Sequence, residues 1–295
     1  VEWLHFPPRE GKWAWGFSSA CRARLRLLWQ AGYLDRLWPD RFNGPAVYTL
    51  GRRGIEALAA YRGLSPDVRA GSGQGLPGSA FLEHALGIAR AYAAIRAALR
   101  EVPEVHLADF QGEHTFKGAD NHDVLPDIAD GRRRIPVVPD GLLVLERSDG
   151  RRRLVFLEVD RATIPLGRIG ARVRGYEGYR IGVGPSLFRA RFGLPPAFTV
   201  AFVVPTPGRL RSLQKTVSRE LRRWGWEGRA GAYLFHLLRD LTPTTALVWE
   251  DAAGKETSLL GEVKKPPPPT VKEEAGRQGS EERAAVAEKT GERER

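Results

Sequence analysis

Residues 137–160 read VVPDGLLVLERSDGRRRLVFLEVD, and this stretch decides the fold that the sequence predicts. Two apolar runs flank a Ser-Asp-Gly tripeptide, which is typical of the turn of a β-hairpin. We therefore predict strands at 137–146 and 153–160. Because the strands of a hairpin are antiparallel, pairing across the turn is expected to bring Asp140 and Glu158 to the same end of two adjacent strands.

Helical and extended patterns alternate on both sides of this hairpin. Apolar residues recur at helical spacing over 81–99, and the continuous apolar run 198–204 (FTVAFVV) is typical of a strand buried on both faces. We also predict strands at 104–110 and 246–250, helices at 167–180 and 209–224, and a polar loop at 121–134. An antiparallel meander followed by a helical crossover gives a mixed α/β sandwich, which is the fold class that we predict.

The first part of the chain carries a different, arginine-rich pattern. Ser18 and Ser19 are expected to cap a helix at 18–30, because short hydroxyl side chains accept bonds from the free N–H groups of a helix start. Strands are predicted at 33–38 and 46–50 around a turn at 39–45, and a closing helix at 52–61. The order helix, hairpin, helix resembles the second half of a winged helix-turn-helix domain. That domain is expected to be truncated, since only residues 2–6 stand in for its preceding helices.

This resemblance implies double-stranded DNA as the partner, with the first helix in the major groove and the hairpin against the backbone. Guanidinium groups suit both positions, because they contact phosphates and the edges of guanine. The residues expected to contact DNA are Ser19, Arg22, Arg24, Arg26, Arg36, Arg41, Arg52 and Arg53. The alternative is a solvated arginine face on a winged helix that binds protein.

The overall charge agrees with a polyanionic partner. The chain has 46 Lys+Arg and 35 Asp+Glu, a formal net charge of +11, and its terminal stretch from residue 264 is nearly balanced, with 8 basic and 7 acidic residues. The excess therefore lies in the preceding part, and it favours nucleic acid over an anionic membrane surface. A compositional bias from GC-rich coding is the alternative explanation.

Composition also divides the chain and limits its setting. We predict a DNA-binding domain at 1–63, a Gly-rich linker at 64–79, an α/β domain at 80–260 and a disordered charged tail at 261–295. With one cysteine, Cys21, the sequence excludes an internal disulfide framework and a zinc-thiolate cluster. Since no stretch offers the ~18 uncharged apolar residues of a membrane helix, we expect a cytoplasmic protein without a membrane partner.

The strand order also resembles the core of PD-(D/E)XK nuclease-like folds. In that family an Asp near one strand and a Glu on the next converge on a divalent ion, and Asp140 and Glu158 take these positions here. Carboxylate oxygens suit Mg²⁺ or Mn²⁺, which would polarise a phosphodiester and lower the pKa of an attacking water. The family's Lys, two residues after the Glu, is replaced by Asp160, which cannot supply the positive charge. The resemblance thus implies Asp140, Glu158 and Asp160 as the candidate catalytic set of a degenerate nuclease-like domain.

Other residues complete this interpretation or compete with it. Glu83 on the predicted helix and Glu113 near the first strand are further candidate acids. Candidate replacements for the charge of the Lys are Arg161, Arg168 and Arg172, although Arg stays protonated and is a poor general base. The alternative is structural, with Glu158 and Asp160 forming ion pairs with the arginine-rich helix.

Four segments together resemble the replication-relaxation family, namely RLRLLWQAGYL, VYTLGRRG, VVPDGLLVL and FLEVDRAT. The resemblance extends from residue 18 to about 221. It implies a DNA-binding protein that acts in replication or conjugal transfer of plasmids and other mobile elements, with replication or conjugation proteins as further partners. Two alternatives stay open: a divalent-metal-dependent endonuclease or nickase that uses Asp140 and Glu158, and an adaptor or transcriptional regulator without catalysis.

Overall fold

The computed structural model describes residues 2–5, 18–38, 46–63, 79–118 and 121–261. Ser18 caps the first long helix of the chain. The Ser18 side chain accepts a 3.1 Å hydrogen bond from the Cys21 amide, and Gly32, with φ +76°, follows the last turn. The elements of this part are α1 (Glu2–His5), α2 (Ser19–Gln30), β1 (Leu34–Leu37), β2 (Val47–Leu50) and α3 (Arg52–Tyr61). Strands β1 and β2 pair antiparallel, so the predicted order helix, hairpin, helix is present. The predicted turn at 39–45 lies outside the described residues.

The hairpin predicted at 137–160 lies within a seven-stranded mixed sheet. The next elements are α4 (Ser79–Ala98), β3 (Val105–Gly112), β4 (Val124–Asp127), β5 (Asp130–Pro136), β6 (Gly141–Arg147) and β7 (Arg152–Val159). Strand β6 pairs antiparallel with both β3 and β7, and Gly141 lies opposite Leu157. The strand begins at Gly141 rather than at 137, because Pro139 has no N–H to donate to the ladder.

Two parallel crossovers complete the sheet. The elements are α5 (Leu166–Gly178), α6 (Gly184–Phe192), β8 (Phe198–Val204), α7 (Pro207–Arg223), β9 (Tyr233–Leu237), β10 (Val248–Asp251) and β11 (Glu256–Ser258). Strand β8 runs parallel to β7 and to β9, and the sheet order is β11-β10-β9-β8-β7-β6-β3. All seven residues of β8 are buried, as a strand covered on both faces requires.

Helices cover both faces of the sheet. On one face, α5 and α7 pack on β7 and β8 through an aromatic core that includes Phe156, Tyr176 and Phe202. On the other face, α4 packs through a core that includes Ile95 and Trp249. Short 3-10 helices connect some of these elements, at Leu99–Glu101, Glu113–Thr115, Glu227–Ala232 and Leu238–Asp240. The mixed α/β fold class is therefore confirmed.

The prediction of a polar loop at 121–134 is wrong. It contains most of the two-stranded hairpin β4–β5, which packs against α5. Only Leu125 and Ile135 are buried apolar residues on these strands, so the apolar pattern is too sparse to reveal them. The elements α6, β9 and β11 were also not predicted.

The predicted domain boundaries stay predictions. The described residues up to Leu260 belong to one compact unit. The linker at 64–79 lies outside the described residues, apart from residue 79 at the start of α4, and so does the tail after residue 261. Within the described ranges, no helix is both long and apolar enough to span a bilayer.

Candidate functional site

Asp140 lies where β6 begins and β7 ends. Its backbone N–H donates to the Leu157 carbonyl at 3.0 Å, and its Oδ2 accepts a 2.6 Å hydrogen bond from the Val159 N–H. The hairpin thus brings Asp140 beside the strand that carries Glu158, as predicted from pairing across the Ser-Asp-Gly turn. The side chain is almost fully buried, so its position is fixed by these backbone contacts.

The other oxygen of Asp140 faces His84 on α4. His84 Nε2 lies 3.2 Å from Asp140 Oδ1, and this hydrogen bond raises the pKa of His84, against the opposing effect of burial. Glu113, just after β3, also turns to this point, and the three side chains each offer one ligand atom within 4.8 Å of the others. Among the described residues this is the one cluster of His, Cys, Asp or Glu with such metal-ligand spacing.

This cluster shares only Asp140 with the predicted catalytic set of Asp140, Glu158 and Asp160. Glu113 was predicted as a further acid and is present, but Glu83, its predicted companion on α4, is exposed and pairs with Arg161 at 2.7 Å. His84, the next residue along the helix, takes the place beside Asp140. The spacing of residues along the sequence could not predict His84 as a member of the cluster, because α4, β3 and β6 come together only in the tertiary fold.

Glu158 is buried, and both its carboxylate oxygens are occupied. Oε2 forms an ion pair with Arg172 of α5, and Oε1 accepts a 2.6 Å hydrogen bond from the Tyr176 hydroxyl. Burial raises the pKa of Glu158 to about 7, although the charge of Arg172 opposes that rise. Because Arg172 and Tyr176 already satisfy this carboxylate, a metal ion would have to displace them in order to bind it.

Asp160 is held in the same way, by a different helix. Its two oxygens accept hydrogen bonds from Arg209 at 2.7 and 2.9 Å, and Oδ2 also accepts one from the Ala162 N–H at 2.9 Å. Arg209 lies in the first turn of α7 rather than on α5. The structural alternative, in which these acids pair with arginines, therefore describes the contacts of both Glu158 and Asp160, while their catalytic roles stay predictions.

The arginines considered as replacements for the missing Lys have different surroundings. Arg161 pairs with Glu83 and Arg172 pairs with Glu158. The side chain of Arg168 is exposed and makes no hydrogen bond or ion pair with another described residue. Within the described part of the chain, none of the three forms a hydrogen bond or ion pair with His84, Glu113 or Asp140, although the charge of Arg161 lowers the pKa of His84 slightly against the effect of Asp140.

The residues predicted to contact DNA fall into two groups. On α2, Ser19, Arg22, Arg24 and Arg26 are all exposed. Neither Arg24 nor Arg26 has a hydrogen-bond or ion-pair partner within the described ranges. Among the described residues, therefore, no carboxylate neutralises Arg24 or Arg26.

The predicted contacts outside α2 are engaged within the chain. The guanidinium of Arg36 lies 3.7 Å above the ring of Trp29, and Arg52 pairs with Glu56 at 3.0 Å. Arg53 donates to the Ala31 carbonyl at 2.9 Å, which ties α3 to the end of α2. Arg41 lies outside the described residues. The DNA-binding role of all eight residues stays a prediction.

Comparison with known protein families identifies a match over the first part of the chain. The family model described as replication-relaxation matches residues 3–185, which is more than half of the chain and includes α2, the hairpin β6–β7 and all of α5. No curated protein and no solved structure matches the chain significantly.

Proposed function

The chain belongs to the replication-relaxation family, and we propose that it binds double-stranded DNA during the replication or transfer of a mobile genetic element. The proposal assigns the DNA contact to α2 and its exposed arginines. Replication or conjugation proteins are proposed as further partners, since DNA of this kind is processed by such assemblies.

The observation that carries this proposal is a contrast between two groups of arginines. Three arginines of α5 and α7 are held by buried carboxylates, in the pairs Arg172–Glu158, Arg174–Asp127 and Arg209–Asp160. Arg24 and Arg26 have no such partner in the described part of the chain, and they stand on an exposed helix face. An unpaired guanidinium keeps its full charge for a phosphate, whereas one in an ion pair must first give up its carboxylate.

The dimensions of α2 suit a major groove. A helix of 12 residues is about 18 Å long, and the groove of B-DNA is wide enough to admit one helix. Arg22 and Arg26 are four residues apart and therefore share a face, with Arg24 beside it. Guanidinium groups on that face can contact phosphates and the N7 and O6 atoms of guanine.

The proposal is tested by titrating the full chain with duplex DNA at low salt. The double variant Arg24→Gln/Arg26→Gln should bind roughly 30–1,000-fold more weakly, because each of the two lost arginine contacts is worth about 1–2 kcal/mol. The matched control is Arg151→Gln/Arg239→Gln, which removes the same charge from exposed arginines that pair locally with Asp149 and Asp240. Equal losses in both double variants would reduce the effect to overall charge and overturn the assignment of α2.

A second candidate function is metal-dependent cleavage of a phosphodiester, and the cluster of His84, Glu113 and Asp140 favours it. These residues would hold a divalent ion by one imidazole nitrogen and two carboxylates. A mixed nitrogen and oxygen set suits Mn²⁺ better than Mg²⁺, which prefers oxygen ligands alone. When bound, such an ion would polarise the phosphodiester and lower the pKa of a water. Lys117, which pairs with Glu113 at 2.7 Å, adds a positive charge at the edge of this cluster.

Two measurements test this second function. Calorimetric titration of the wild-type chain with Mn²⁺ should show one site that Asp140→Asn and Glu113→Gln both weaken by at least tenfold. Nicking of a supercoiled plasmid should depend on the same ion and be lost in the same variants. The matched control is Glu83→Gln, which alters the carboxylate adjacent to His84 that pairs with Arg161 and should change neither result. Mn²⁺ binding unaltered in Asp140→Asn would overturn the assignment.

A further inference from the structure

A pocket of about 280 Å³ opens beside Glu158, between strand β5 and helix α5. Residues from Arg133 to Val138 form one wall, and Arg168, Ala171 and Arg172 form the other. The volume lies near the lower end of small-molecule sites, which begin at about 300 Å³. It is therefore large enough for one small ligand and too small to enclose a longer polymer.

Three arginines of the pocket form no ion pair with a carboxylate of the described residues. Arg133, Arg134 and Arg168 are exposed, and their side chains make no hydrogen bond or ion pair with other described residues. Glu158, the one carboxylate among the lining residues, is already paired with Arg172. By contrast, Arg174, on the same helix, is held between Asp127 and Glu220.

Three like charges around one concavity repel one another, and an anion bound among them relieves that repulsion. Guanidinium groups form their strongest hydrogen bonds with phosphate and carboxylate oxygens, because the donors and acceptors match in geometry. The electrostatics of this site therefore favour an oxyanion.

The rest of the lining is apolar and narrows the ligand class. Pro136 is exposed, Val138 and Ala171 are half-buried, and all three face the pocket. A bare inorganic anion makes no use of such a surface, whereas the sugar or base of a nucleotide gains from covering it. A charged group joined to a compact, partly apolar body is the chemistry of a mononucleotide.

We propose that this pocket binds the phosphate group of a single nucleotide, with Arg133, Arg134 and Arg168 on the phosphate and Pro136 and Val138 against the sugar or base. The nucleotide is either free or the terminal unit of a DNA strand, and both present the same group. This site is distinct from the DNA contact assigned to α2, so each proposal stands or fails without the other.

The test uses the full chain and three probes: a deoxynucleoside monophosphate, the matching nucleoside and inorganic phosphate. Isothermal titration should detect the monophosphate with an affinity of about 1 mM or tighter, inorganic phosphate more weakly, and the nucleoside not at all. The variant Arg134→Gln/Arg168→Gln should weaken monophosphate binding at least tenfold. Its matched control is Arg211→Gln/Arg219→Gln on α7, which removes the same charge away from the pocket and should leave binding unchanged.

A second arm identifies the source of the phosphate. A short oligonucleotide with a 5′-phosphate competing with the monophosphate, while its 5′-hydroxyl form does not, would assign the pocket to a strand end. Displacement by neither form would assign it to a free nucleotide. The variant Arg24→Gln/Arg26→Gln should keep monophosphate binding, which separates this site from α2. Absence of monophosphate binding, or equal binding to the wild type and to Arg134→Gln/Arg168→Gln, would overturn the proposal.

Discussion

Glu158 illustrates how burial determines the behaviour of a single carboxyl group. The side chain has almost no contact with water, yet it faces a guanidinium from Arg172 and a hydroxyl from Tyr176. The loss of hydration outweighs these two favourable contacts, so the pKa rises to about 7. The strand position that a nuclease-like interpretation gives to a metal ligand is thus occupied here by a carboxyl group that gains a proton near neutral pH.

This pKa predicts a pH dependence of stability. The folded chain retains the proton of Glu158 up to about pH 7, whereas the unfolded chain releases it near the ordinary glutamate pKa of 4.5, so stability falls as pH rises through that window. The contribution is on the order of 3 kcal/mol. Urea unfolding at several pH values should therefore show the stability of the wild type, relative to Glu158→Gln, declining between pH 4.5 and 7. A pH-independent difference between the two proteins would contradict this account, and Glu83→Gln serves as the exposed control.

Asp160 gives a second prediction at this scale. The change Arg209→Met removes both hydrogen bonds to a buried carboxylate and leaves its charge uncompensated, which costs about 3 kcal/mol of unfolding free energy. Arg211 lies two residues further along the same helix and is exposed. The change Arg211→Met should therefore lower the unfolding free energy by less than about 0.5 kcal/mol. Denaturation of both variants measures the difference, and similar small losses would mean that Arg209 does not hold Asp160 in solution.

At the scale of elements, sequence patterns predict best where burial is complete. The limits of β8 match the apolar run 198–204, because a strand covered on both faces has no reason to alternate. The start of β6 was predicted too early, since apolar residues continue through Pro139 although the ladder does not. The hairpin β4–β5 was not predicted. Three successive arginines of β5 are exposed, and only its last two residues, Ile135 and Pro136, are apolar.

The position of that hairpin is tested by two glycines of α5. A methyl group at Gly175 would lie 2.9 Å from Cγ2 of buried Ile135, closer than side chains pack, whereas one at Gly167 would meet nothing within 4 Å. Gly167→Ala should stabilise the chain by up to about 1 kcal/mol through helix propensity. Gly175→Ala should instead destabilise it by about 1–3 kcal/mol, because the hairpin must move. Thermal unfolding compares them, and equal stabilisation by both would place the hairpin elsewhere.

The candidate sites depend on the same division between local and tertiary information. Asp140 and its neighbour strand follow from a hairpin that residues 137–160 encode locally. His84, the partner of Asp140, lies on a helix more than fifty residues earlier in the chain. The sequence alone therefore could not favour His84 over Glu83 as a ligand. The distinction between paired and unpaired arginines is likewise tertiary, because composition records the charge and not its partners.

For the whole molecule, the net charge of +11 is less informative than its distribution. Many arginines of the sheet and its covering helices serve as internal counterions for buried acids, including Asp127, Glu158, Asp160 and Glu177. Two exposed sets form no ion pair with another described residue, namely Arg24 and Arg26 on α2, and Arg133, Arg134 and Arg168 at the pocket beside Glu158. We assign the first set to duplex DNA and the second to a single phosphate group, which gives the chain two separate anion-binding surfaces.

The most direct measurement of the central claim is the salt dependence of duplex affinity for the wild type and for Arg24→Gln/Arg26→Gln. Each phosphate neutralised contributes about 0.9 to the slope of log affinity against log salt concentration. The account predicts a steep negative slope for the wild type and a slope shallower by about 2 in the double variant. A wild-type affinity that does not change with salt, or identical slopes for the two proteins, would contradict the assignment of α2 as the DNA-binding surface.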